Sequence, residues 1–455
     1  MEFPNANYVE NSAFSLIEKS LNRGAKGADI LFYSGKSSSL SLRDGKTEQN
    51  RTGFFMGIGL RVIDADGRQG VAHMNVLDPA SFENLVSWSW ANCCSSEPDP
   101  WVTLYEQKPS YRDDLKLEDE AVSSITPEQR QESCLYMSQE ASSKDKRILS
   151  IRSASWYDSI GKSFYMSSTG IRGWYNVTSV SAGLSLVMSD GVNLEMGGYG
   201  ESCRFLSDLP LSRIVEEAVT QTAYILGGKP LKTGKYTLIL SPEVSASFLS
   251  VIGELFLASN VHKNMSLYKG KLEKQEASSL LTIIDDGLMP KKLGTAPFDG
   301  EGVPCQRTVL MEKGVIKNFL YNLKYGLKDG VPSTGNGARS FSSVPDVDVS
   351  NIYIEPGTLS QEDIFCSVRN GIYIMDLLGL HTVNPVSGDF SLGIKGVALH
   401  NGELSFPVSG MTIAGNLLDF LKKIVCIGND LLFWGDRRCY GGRTLIYFFF
   451  SFFYV

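Results

Sequence analysis

Four dipeptides constrain this chain more than anything else in it. Asp44-Gly45, Asp66-Gly67, Lys313-Gly314 and Asn401-Gly402 each lie between short apolar runs. A tight hairpin turn needs positive φ at its central residues, which glycine and a preceding Asp or Asn tolerate at little cost. The dipeptides therefore predict antiparallel hairpins early and late in the chain, the late ones in LMEKGVIKNFLY and VALHNGELSFPV. Between them, Val180, Ala182, Leu184 and Leu186 alternate with Ser179, Ser181, Gly183 and Ser185, a period of two with one buried face.

Helical periodicity fills the intervals. Apolar positions recur with helix spacing over residues 8–24 and 211–226, the latter with Pro210 near its start and Gly227 placed to cap its end, and 79–92 and 127–143 also read as helices. Residues 148–196 read as antiparallel strands, 236–240 as a buried strand, 241–259 as a helix, and 95–120 as a polar, proline-bearing linker. The texture changes near residue 228. The fold class expected is α+β: a mixed α/β N-terminal domain over 1–228 (sub-regions about 1–108 and 109–228), then a β-rich C-terminal domain over 229–434. Residues 435–455 stand apart, because TLIYFFFSFFYV is almost wholly apolar and aromatic, too short to span a membrane as a helix and prone to aggregate if exposed.

Charge and cysteine usage exclude several function classes. A net charge of -7 over 455 residues, with no basic stripe, is unlike a nucleic-acid binder. The start has no basic segment followed by an apolar run, so no signal peptide is expected. Eight cysteines without a C-x-x-C pair read as free thiols in a reducing, cytoplasmic setting.

Candidate chemistry is sparse. A zinc hydrolase gathers its ligands most easily from a helical H-E-x-x-H, and His73, His262, His381 and His400 form no such pair. Neither a catalytic residue nor a metal ligand is therefore assigned. GKPLKTGKYT has the wrong glycine spacing for a phosphate loop and follows a helix instead of preceding one. Acids cluster at Asp285-Asp286 and around Asp299 and Glu301, where turn capping is the commoner use. The loop STGNGAR, with Gly335, Asn336 and Arg339, can present backbone N–H groups and a guanidinium fork to a carboxylate, although a plain tight turn uses the same residues.

Three segments go further. TIIDDGLMPKKLGTAPFDGEGVPCQRTVLMEKGVIKNFLYNL, STGNGAR with SNIYIEPG, and HTVNPVSGDFSLGIKGVALHNGELSFPVSGMTIAGNLLDFLKKIVCIGNDL occur in order, and GADILFYSGKSSSLSLRDGKTE and GIGLRVIDADGRQGVAH precede them. Together they resemble the TldD/PmbA family of metallopeptidases, over about residues 10–434. TldD-type members carry an H-E-x-x-x-H helix that binds zinc with a downstream cysteine. The corresponding region here, SFLSVIGELFLASNVHKNMSLYKGKL, holds Glu254 and His262 but no paired histidines, which is the pattern of the TldE/PmbA side.

The resemblance implies a non-catalytic, cytoplasmic subunit whose TldD-type partner holds the zinc, in a hetero- or homo-dimer acting on unfolded or extended peptides. Leader-peptide processing, antitoxin degradation and the modulation of DNA gyrase are the processes linked to the family. Gly335, Asn336, Arg339, Gly388, Asp389 and Phe390 are the residues expected to line its peptide cavity. Two rivals differ in class: a self-sufficient hydrolase using His262, His381, Asp286 and Glu301, and a non-enzymatic peptide-binding modulator. After Leu432 the sequence leaves the family's pattern, as an altered frame, a truncation or a lineage-specific ending would produce, and a missing terminal strand would leave a sheet edge uncovered.

Overall fold

A computed structural model describes residues 4–431, 433–434, 443–444 and 449–454. Three of the four turns form as the dipeptides predict. Asp44 (φ 45°) and Gly45 (φ 75°) join β1 (Gly27–Arg43) to β2 (Lys46–Ile63). In the second turn only Gly67 has positive φ, and the longer loop around it leads to β3 (Gln69–Met74). Its extra length is held by Asp64, whose side chain accepts from the N–H groups of Asp66 and Arg68.

β4 (Ile148–Ser167), β5 (Arg172–Ser189) and β6 (Leu194–Cys203) complete one six-stranded antiparallel sheet of order β3-β2-β1-β4-β5-β6. The sub-regions on either side of residue 108 thus share a sheet. One face carries two separate cores. Ile30, Phe32, Leu60, Val62 and Phe164 meet α1 (Ala6–Asn22) and α2 (Phe82–Cys94). Leu40, Leu42, Trp156, Val180, Leu184 and Leu186 meet the short α3 (Glu120–Ser123), α4 (Pro127–Lys144) and α5 (Leu211–Ile225). Thr126 and Gln129 close a capping box at the start of α4, and Gly227 at φ 74° ends the α5 turn.

The second half opens with β7 (Lys235–Leu240) and α6 (Pro242–Glu254), whose Ser241 cap accepts from Val244 N–H. The single helix expected over 241–259 is two. Residues 255–257 leave the helix because their backbone is needed elsewhere: Leu320 N–H donates to Phe256 O and Ala258 N–H to Leu320 O, before α7 (Ala258–His262) begins. β8 (Ile283–Asp286), β9 (Arg307–Glu312) and β10 (Val315–Ile316) then form a small sheet. It is followed by α8 (Leu323–Asp329), the ribbon of β11 (Gly337–Ala338) with β12 (Asp346–Val347), and β13 (Ile352–Ile354), which pairs with β8.

After α9 (Gln361–Ser367) come β14 (Asn370–Leu378), β15 (Asp389–His400) and β16 (Glu403–Asn416), joined to β7 in a second large sheet and followed by α10 (Leu417–Lys422). Phe248 of α6, Phe390 and Phe420 cluster under this sheet with ring centroids 4.9–6.0 Å apart. The tail takes a place in it: residues 449–454 pair antiparallel with β7, Phe449 opposite Ile239 and Tyr454 opposite Lys235. The edge expected to lie uncovered therefore has a strand on it; residues 435–442, 445–448 and 455 of the tail lie outside the described residues.

Candidate functional site

The opposite face of the six-stranded sheet meets the second half of the chain, and charge is buried there. Asp29 of β1 and Arg61 of β2 are register partners. Arg61 Nη2 donates to Asp29 Oδ2 at 2.6 Å, and the Tyr165 hydroxyl of β4 donates to the same oxygen at 3.2 Å. From the other half, Arg339 Nη1 donates to Asp29 Oδ1 at 2.7 Å, with both side chains fully buried. Glu301 Oε1 lies 3.7 Å from Arg61 Nη1. Burial pushes the Asp29 carboxyl up, but the guanidiniums of Arg339 and Arg61 outweigh it and hold it below its usual value.

Asp299 completes the cluster. Its Oδ1 accepts from the N–H groups of Glu301 and Val303, and its Oδ2 from that of Gly337 at 2.7 Å. Burial, then the neighbouring Glu301, raises its carboxyl to about 8; burial raises Glu301 too. Asp285 is raised to about 6 by burial, although Ser350 and Asn336 donate to it.

The STGNGAR loop therefore does bind carboxylates, and they are the protein's own. Gly337 N–H serves Asp299, Asn336 serves Asp285 and Arg339 serves Asp29. Gly335 sits at φ 70° so close to Pro304 that a Cβ would come within 2.4 Å of its carbonyl oxygen. An open fork for an incoming carboxylate is not what Arg339 presents, because the sheet of the first half closes over it.

The remaining cavity candidates lie elsewhere. Gly388 packs toward Leu267 and Asn416, and Phe390 is a core residue against Phe248 and Phe420. Burial at 5% exposure leaves Phe390 no surface to offer a peptide. Asp389 alone of that segment is exposed, its Oδ1 accepting from Asn416.

Histidines are equally dispersed. On α7, His262 Nε2 lies 2.8 Å from Asp329 Oδ1 and its ring stacks on Tyr325. His73 packs on Phe341, His400 Nδ1 is 2.7 Å from Asn370 Oδ1, and His381 is exposed. Asp286 and Glu301 are not brought to any of them. Asn260 Nδ2 donates to Glu254 at the end of α6. Buried Cys305 has its thiol pushed well up by burial and by Asp299.

Models of the PmbA/TldA metallopeptidase match along the chain: domain 1 at residues 28–93, the central domain at 120–224 and the C-terminal domain at 233–447. The chain belongs to the PmbA/TldD metallopeptidase family. A metalloprotease of Methanocaldococcus jannaschii is 28% identical over 426 residues, covering 91% of this chain and 92% of its own. Metalloprotease PmbA of Escherichia coli O157:H7 is 26% identical over 414 residues, covering 91% of this chain and 90% of its own. The crystal structure of TldE from Thermococcus kodakarensis superposes with a TM-score of 0.89 at 23% identity, over 98% of this chain and all of that one, and shares its fold.

In a PmbA/TldD metallopeptidase fold a zinc ion is the implied group, and the residues here do not fit it. α6 carries no histidine, His262 is engaged by Asp329, and among the described residues no three His, Cys, Asp or Glu side chains converge on a metal position. Sequence reasoning missed Asp29, Arg61 and Tyr165 altogether. One signal was available: GADILFY and GIGLRVI each place a charge inside an apolar strand run, where an ion must find a buried partner. No helix among the described residues is long and apolar enough to cross a membrane.

Proposed function

We propose that this chain is the TldE/PmbA-type subunit of a cytoplasmic metallopeptidase complex, without hydrolytic activity of its own, acting on unfolded or extended peptides beside a TldD-type subunit that holds the zinc. The observation that supports this reading is α6: the helix standing where the family's zinc motif falls reads PEVSASFLSVIGE, and nothing on it can ligate zinc through an imidazole. Asp389, exposed at the start of β15, is the candidate for contact with the peptide, with Gly388 and Phe390 setting its position from the core. Gly335, Asn336 and Arg339 act from below, by fixing the two halves against each other.

Co-expression with a TldD-type chain carrying H-E-x-x-x-H tests the reading. The pair should co-elute and cleave an unfolded peptide, while this chain alone should neither cleave it nor retain zinc. Stoichiometric zinc with proteolysis by the isolated chain would overturn the assignment.

A further inference from the structure

One stretch of surface on the second half of the chain runs against the sign of the whole molecule. Residues 269–280, KGKLEKQEASSL, follow α7 and lie beside β10. Glu273 N–H donates to Ile316 O at 2.8 Å, Ile316 N–H to Lys274 O at 3.1 Å and Glu276 N–H to Gly314 O at 2.9 Å. On the other side, Ser278 N–H donates to Leu421 O within α10. Three segments remote in sequence, 269–280, 312–317 and 421–425, thus build one face. The first brings Lys269, Lys271 and Lys274, the second Lys313 and Lys317, and the third Lys422 and Lys423. Against these seven lysines stand three acids, Glu273, Glu276 and Glu312, on a chain whose net charge is -7.

Two of the acids are engaged within the face. Glu276, only 9% exposed, lies 3.1 Å from Lys271 Nζ and 3.6 Å from Lys422 Nζ, and Glu273 accepts from Lys317 at 2.6 Å. Lys274 and Lys313 are exposed and outside any ion pair among the described residues. Leucine stands among these charges. Leu272, 51% exposed, sits between two tight turns, closed by Lys271 N–H to Tyr268 O and by Lys274 N–H to Lys271 O. Leu280 at 51% and Val425 at 47% are exposed in the same segments.

Surplus ammonium groups call for an anionic partner, and the composition selects which kind. Nucleic acid is gripped by guanidinium forks and by aromatic rings on which bases stack. The three segments hold neither arginine nor an aromatic residue. A folded acidic protein would meet a continuous apolar patch with a polar rim, whereas the aliphatic side chains here are single tips parted by lysines. A lipid surface accepts that pattern. Ammonium groups near anionic headgroups contribute roughly 1 kcal/mol each, while aliphatic tips enter the boundary between headgroups and acyl chains.

We propose that the face built by residues 269–280, 312–317 and 421–425 docks reversibly on an anionic lipid surface. The test is flotation of the isolated full chain, at low salt, with vesicles of phosphatidylcholine containing about one-third phosphatidylglycerol. The protein should rise with these vesicles and stay behind with vesicles of phosphatidylcholine alone. It should be released at about 1 M salt, where charges are screened within roughly 3 Å. Partitioning should fall about tenfold or more in Lys274→Glu combined with Lys313→Glu, and about threefold or more in Leu272→Ser. All three positions are exposed, so the urea-unfolding midpoint should stay in place. Equal binding to phosphatidylcholine alone, as an apolar segment elsewhere on the chain would give, would overturn the proposal. So would unchanged partitioning in either variant, or tighter binding of duplex DNA or polyglutamate than of the vesicles. Neither a TldD-type subunit nor cleavage enters the measurement, so this proposal and the subunit assignment stand or fall separately.

Discussion

Phe248, Phe390 and Phe420 meet under the second large sheet without a charged neighbour in the cluster, while Asp29, Arg61, Arg339, Glu301 and Asp299 meet between the two halves, equally shut away from water. The first arrangement derives its stability from area removed from solvent and tolerates small shifts of its members. The second depends on every ion keeping its partner, since a buried charge left alone is costly and the pair itself contributes little net stability. What distinguishes them is directional demand. Rings can slide, but Asp29 accepts from two guanidiniums and a hydroxyl at once and so sets the angle between the halves.

The difference can be broken by substitution. Asp29→Asn removes the carboxylate that two buried guanidiniums share, leaving Arg61 only Glu301 at 3.7 Å, and should cost about 3–5 kcal/mol by urea unfolding. Phe248→Ala should cost about 3–4 kcal/mol by the same measurement, through the cavity it leaves. Removing ions in balanced fashion sharpens the contrast: Asp29→Asn combined with Arg339→Gln should recover about 1–2 kcal/mol relative to Asp29→Asn alone. Additive losses would mean that Asp29 and Arg339 are not coupled.

Protonation offers a gentler probe. The Asp299 carboxyl titrates near 8 in the folded chain against 3.8 for an ordinary aspartate, so the folded state holds a proton that the unfolded chain releases earlier. Its contribution is fully present below pH of about 4 and is lost as pH rises through about 8. Stability should therefore decline over that window, and Asp299→Asn should flatten the decline; an unchanged slope would mean that Asp299 is not the group that titrates there. The smallest effect belongs to the surface, where cutting the exposed Lys144–Glu216 pair should leave the urea-unfolding midpoint unchanged.

Local rules made most of the elements legible. Alternation along β5, the apolar spacing of α1 and the glycine after α5 each act within a few residues, so a linear reading recovers them. The break between α6 and α7 was not readable, because its cause is the backbone of Leu320, far along the chain. The seam failed for the same reason in stronger form. Arg339 is described rightly by its sequence as a carboxylate binder, but the carboxylate is 310 positions away at Asp29, and only the fold brings it there. A loop's chemistry is local; the identity of what it binds is not.

Strands that line two cores at once make alignment a shared possession. β4 gives Trp156 to one helical layer and Phe164 to the other, all from a single face. Insert one residue near Ser159 and every side chain beyond it turns over, so that one layer keeps its lining while the other is offered what used to face outward. Only a bulge can absorb such an extra residue, and the ladder already has register shifts near Ile148 and Ile151, at the N-terminal end of β4 and away from the boundary between the two cores.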